Sequence, residues 1–135
     1  MLLQPILIAI KESGQRWQYR GTENKLDETY TYHAPDIAPD FYVHVRSGFL
    51  CDGASSPRFL WSMTGFLPRG IHDPAALVHD KLYEDKGMHY GQEYTRKDAD
   101  KLFYKMLVEC GIKSWHAKGA YFAVRVGGGL YWKKK

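Results

Sequence analysis

His79 and Asp80 stand side by side, Tyr83 follows one helical turn later, and Asp100 lies beyond the next polar connection. An imidazole exchanges a proton near neutral pH, and a carboxylate bonded to one ring nitrogen fixes the tautomer and aims the other. With Asp100 accepting from one nitrogen of His79, the second nitrogen is left unprotonated, as a general base for activating water requires. Tyr83 and Tyr121 are hydroxyls that could also bond Asp100. Upstream, Asp52-Gly53-Ala54-Ser55-Ser56-Pro57 makes a compact turn of small residues. Asp80, Asp52 and the carbonyl of Gly53 are hard oxygen donors, the type that calcium collects in sets of about six to eight. Such an ion would polarise an ester carbonyl while water, deprotonated by His79, attacks it. The chemistry indicated is calcium-assisted ester hydrolysis.

These groups can cooperate only if helices carry them to one place. Asp73 caps a predicted helix with Pro74 at its first position, and Gly87 closes it. Thr95 and Asp98 have the spacing of a capping box, and Gly111 ends the helix that follows. Ser114 opens a third helix that should run to about Val126 and stop at Gly127-Gly128-Gly129. A shorter helix is expected near Pro57 to Met63. His79 shares its stripe with Ala75, Ala76, Leu82 and Tyr83, so it faces a core. Asp100 shares a face with Phe103, Tyr104 and Leu107, while Lys97, Lys101 and Lys105 run down the other side. A carboxylate on a core stripe must find a partner, because burying it alone is very costly. Two antiparallel helices joined by a short connection pack together, which brings Asp100 to His79.

The first fifty residues read differently. Trp17 to Arg20, Thr29 to Tyr32 and Phe41 to Arg46 alternate bulky and polar side chains, as half-buried strands do. Ser47-Gly48 offers a hairpin turn into Phe49-Leu50-Cys51, whereas the Pro-rich stretch Ala34 to Asp40 is a connection. At 135 residues, with 44% hydrophobic residues, the chain is long enough for one self-sufficient core and is not disordered. The predicted class is α+β: one domain over 1–135, with a small antiparallel sheet in 1–50, a bundle of about three helices in 51–129, and a basic aromatic tail, 130–135. Cys51 and Cys110 do not make a disulfide framework, which suits a reducing compartment. Met1 to Ile10 is apolar but lacks a basic leader and a cleavage site, so manufacture in a cytoplasm without a signal peptide is expected. The net charge of +4 resides partly in Lys133, Lys134 and Lys135. Elsewhere lysines alternate with acids, so no specific nucleic-acid partner is expected.

His79-Asp80-x-x-Tyr83 resembles the catalytic helix of phospholipase A2 enzymes, especially the compact prokaryotic type and the module of parvovirus capsids. Asp52 resembles the calcium-loop aspartate of that family. Asp100 to Met106 resembles the helix whose aspartate supports the histidine, and Ala120 to Arg125 resembles the third helix. The likeness covers roughly Cys51 to Gly129 and implies a phospholipid substrate, with calcium bound by Asp80, Asp52 and Gly53. Three features depart from it: at most one disulfide where the secreted enzymes are stapled by several, the strand-rich start, and an extra hydrophobic segment from Phe59 to Met63. The combination of Asp-Gly-Ala-Ser-x-Pro, His-Asp-x-Leu-Tyr and a closing Ala-Val-Arg also resembles the phage-borne domain-of-unknown-function family 1353.

Other readings use the same residues. A histidine on an apolar stripe is commonly a satisfied core residue. In that case the helix pair would belong to a non-enzymatic virion or tail-assembly component, with other phage structural subunits as partners. His72-Asp73 with His79-Asp80 also suggests a metal-dependent His-Asp phosphohydrolase, although Pro74 places His72 ahead of the helix and that fold is all-helical. Leu130 to Lys135 combines aromatics and cations as membrane-interface segments do, and equally fits a frayed or docked tail.

Overall fold

The computed structural model describes residues 3–10, 16–51 and 73–134. The expected helix at Pro57 to Met63 and the residue His72 lie outside that range. Strands β1 (Pro5–Ile10), β2 (Arg16–Thr22), β3 (Tyr30–His33), β4 (Tyr42–Val45) and β5 (Leu50–Cys51) precede helix α1 (Asp73–Asp85). A small hairpin, β6 (Met88–His89) and β7 (Gln92–Glu93), then leads to α2 (Arg96–Glu109) and α3 (Ser114–Lys134). Among the described residues, small antiparallel sheets followed by three helices make the protein α+β, as the sequence predicts.

The strands form a three-stranded sheet in the order β1-β2-β5, a β3-β4 pair and the β6-β7 hairpin. The alternation predicted around Phe41 to Arg46 is present: Val43 and Val45 are buried while Tyr42 points outward. The expected hairpin at Ser47-Gly48 does not form. Gly48, at φ 100°, turns the chain across β2 instead, where its N–H donates to the Tyr19 carbonyl at 2.7 Å. The Tyr19 N–H donates to the Phe49 carbonyl at 2.8 Å, and Leu50 pairs with Gln18. The outer edge of β4 is occupied by side chains. Gln92 accepts from the Tyr42 N–H (2.9 Å) and donates to its carbonyl (2.8 Å), and His89 Nε2 accepts from the His44 N–H (2.9 Å).

Both ends of α2 follow from its sequence. The Thr95–Asp98 capping box is complete. At the other end Gly111, at φ 96°, lets its N–H reach the Val108 carbonyl and the Ile112 N–H reach that of Leu107, each at 3.0 Å. This pair of bonds is the Schellman closure that a glycine just past a helix makes accessible.

Helix α3 runs past its expected stop near Val126, through all three glycines to Lys134. Tertiary packing outweighs the poor helix propensity of glycine. A Cβ on Gly128 would lie 2.5 Å from the Tyr83 hydroxyl, so only glycine admits that ring. One turn later Trp132 packs edge-on against Tyr83 and Tyr94, with centroids 5.2 and 6.1 Å apart. Trp132 is therefore part of the core rather than of a loose tail. Helix α1 touches β1, β4, β5 and β6 as well as α2 and α3, and His79 on it is buried.

Candidate functional site

Asp100 is completely buried on α2, and polar groups from α1, α2 and α3 converge on it. His79 Nε2 lies 2.8 Å from Oδ1, and the Tyr83 hydroxyl donates to the same oxygen at 2.6 Å. Arg125 Nη1 donates to Oδ2 at 2.9 Å, and Arg96 Nη1 stands 3.5 Å from it. Arg96 also bonds the Tyr83 hydroxyl and the carbonyls of Val124 and Arg125, tying α2 to the middle of α3.

Helical periodicity produces this convergence. His79 and Tyr83 are one turn apart on α1, as are Arg96 and Asp100 on α2. The His79 ring lies between Tyr83 and Phe103, at centroid distances of 4.3 and 4.5 Å, so its plane is held by packing. With Nε2 against a carboxylate, the neutral ring carries its hydrogen there and leaves a lone pair on Nδ1. His79 Nδ1 is buried and has no hydrogen-bond partner among the described residues.

Burial by itself would raise the Asp100 carboxyl, but the hydrogen bond from His79, with those from Tyr83 and Arg125, holds it below the usual carboxylate range. Asp100 is thus an ionised acceptor within the core. Burial, followed by the Asp100 charge and hydrogen bond, raises the Tyr83 phenol, so it remains a protonated donor. The arrangement supplies an imidazole with a fixed tautomer and an aimed lone pair, backed by a carboxylate whose own valences are filled.

The other expected site residues fare differently. Asp80 is buried next to His79 on α1. Asp52 and Gly53 lie outside the described residues. Among the described residues no group of three or more His, Cys, Asp or Glu side chains gathers as a metal site. Of the expected calcium donors, the structure therefore describes Asp80 alone. Tyr121 does not reach Asp100. The antiparallel register of α2 and α3 sets Arg125 opposite Asp100 and, one turn along, sets Tyr121 against Tyr104 at 6.3 Å.

Two groups escaped the sequence reading. Arg96 was visible as a cation one turn before Asp100; Arg125 required the helix register. A second His–Asp pair also exists: His89 Nδ1 lies 2.5 Å from Asp85 Oδ2. Both of its ring nitrogens are bonded, so that pair is a structural clamp.

The profile of a family described as "Protein of unknown function (DUF1353)" matches residues 24–124, which include His79, Tyr83, Arg96 and Asp100. The uncharacterized protein y4jT of Sinorhizobium fredii (strain NBRC 101917 / NGR234) is 34% identical over 80 residues, or 59% of this chain. That stretch is 22% of the relative's length. No solved structure matches. With a match that runs from ahead of β3 into α3 and takes in the buried His–Asp pair, the chain belongs to the DUF1353 family.

Proposed function

We propose that the protein is a phage-encoded, phospholipase A2-like hydrolase that cleaves a phospholipid ester, with His79 as general base and Asp100 as its orienting partner. One observation carries the reading: His79 Nε2 is fixed on Asp100 at 2.8 Å while buried Nδ1 has no partner among the described residues. An unmet polar atom at such depth is costly, and a nucleophilic water would satisfy it. Nδ1 would take the proton of that water as its oxygen attacks the ester carbonyl. Asp100 would steady the resulting imidazolium, which then returns the proton to the leaving alkoxide. Asp80, Asp52 and the Gly53 carbonyl fit a hard cation by donor type, and calcium bound there would polarise the carbonyl. The phospholipid substrate and the phage origin rest on the sequence resemblances.

The test is release of fatty acid from phospholipid vesicles with and without calcium. Calcium-dependent cleavage is expected, falling by roughly 10²-fold or more in His79→Gln, as loss of a general base implies. Calcium should also raise the melting temperature, because a ligand of the native state stabilises it. Purified protein that neither binds calcium by calorimetry nor cuts ester would overturn the proposal.

A second reading is favoured by the number of groups on Asp100. Four side chains from three helices strap one carboxylate, which a non-enzymatic virion or tail-assembly part would use for rigidity alone. Co-sedimentation with phage particles in the absence of any hydrolysis would support it.

A further inference from the structure

A different surface lies along the outer side of α2 and α3. Tyr104, Tyr121 and Phe122, together with Lys101 and Lys118, line an open cleft of about 310 Å³. Its aromatic rings meet edge to face, Tyr104 against Tyr121 at 6.3 Å and Tyr121 against Phe122 at 5.6 Å. Beside the cleft, Trp115 is 70% exposed, Phe122 62% and Val126 88%. Helical spacing sets these three on one side of α3, opposite the buried Ala117, Ala120, Ala123 and Val124. The helix is thus apolar toward the core and again toward solvent. Scattered exposed apolar residues are ordinary, but an apolar stripe beside a cationic cleft marks a contact surface.

The charges select what the surface contacts. Lys81 and Lys105 are paired with Asp85 and Asp36, whereas Lys101 and Lys118 have no acidic partner among the described residues. Two ammonium groups without a salt bridge flank the aromatic rings, Lys101 also bordering a cleft that holds Asp36 and Asp98, and they suit anionic headgroups above an acyl layer. No helix of the described residues is long and apolar enough to cross a membrane, so α3 would lie in the interface plane.

We infer that the outer face of α3, with the cleft between Lys101 and Lys118, docks onto an anionic phospholipid membrane. The surface takes no part in the proposed ester chemistry and would serve an enzyme or a particle component alike.

The experiment is sedimentation of the full chain with vesicles of ether-linked phospholipids, which no esterase can cut, so that binding is read apart from hydrolysis. Vesicles of phosphatidylcholine alone are compared with vesicles containing phosphatidylglycerol, at low and high salt. Binding to the anionic vesicles is expected, weakening with salt. Phe122→Ser with Trp115→Ser should reduce it about tenfold or more, and Lys101→Gln with Lys118→Gln should abolish the preference for phosphatidylglycerol. All four side chains are exposed, so unchanged melting temperatures should verify the variants' folds. Failure to bind anionic vesicles, or binding that the variants leave unaltered, overturns the inference. So does a dimer in solution that Phe122→Ser dissociates, because a second copy would then cover the stripe.

Discussion

Asp100 shows how one buried charge can be made stable and what depends on it. Replacing it with Ala removes the acceptor of His79, Tyr83 and Arg125 together. Denaturant unfolding should record a loss of about 3–5 kcal/mol, as for other broken buried ion pairs. The pH dependence has a definite sign. A carboxyl held below its usual range contributes stability above that range and loses it as pH falls toward the folded-state value. His44 is lowered from 6.5, chiefly by burial, so its neutral form is favoured in the fold. That contribution is present above 6.5 and is lost as pH falls below it. Melting temperature should therefore decline in two stages on acidification, with the first stage missing in His44→Gln and the second in Asp100→Asn. The His79–Asp100–Tyr83 cluster was legible because an aspartate on an apolar stripe requires a donor, and helical spacing names the nearest ones. Arg125 was not, because its place depends on how far α3 slides along α2.

Elements are limited by neighbours as much as by their own sequences. The capped ends of α2 were legible because Thr95, Asp98 and Gly111 act within a few residues of themselves. The length of α3 was not, since three consecutive glycines ordinarily end a helix and only the rings of Tyr83 and Trp132 explain why this one continues. Two glycines of that helix should consequently respond in opposite ways. A methyl group added at Gly119 would meet nothing within 4 Å, so Gly119→Ala should stabilise by up to about 1 kcal/mol through propensity alone. Gly128→Ala should destabilise by about 1–3 kcal/mol, because the new methyl collides with a hydroxyl fixed on Asp100. Urea melts of the two variants decide this. The destination of β5 was likewise hidden: Ser47-Gly48 announces a turn, but which strand receives the chain is settled by the exposed edge of β2.

Across the whole molecule, the α+β class was legible because the switch from alternating to helical periodicity falls between the two halves of the chain. How the halves are joined was not, since it depends on side chains that bond main-chain atoms. Tyr42 and His44 direct their amides away from β3, and Gln92 and His89 meet them from the hairpin between α1 and α2. A glutamine amide here imitates the hydrogen bonds that a neighbouring strand would make. The rim of β4 is thereby closed to any other chain seeking to extend the sheet. Gln92→Ala would reopen its Tyr42 end, and concentrated solutions of that variant should form thioflavin-positive fibrils sooner than the parent protein. Gln92 and His89 together thus guard this rim against polymerisation.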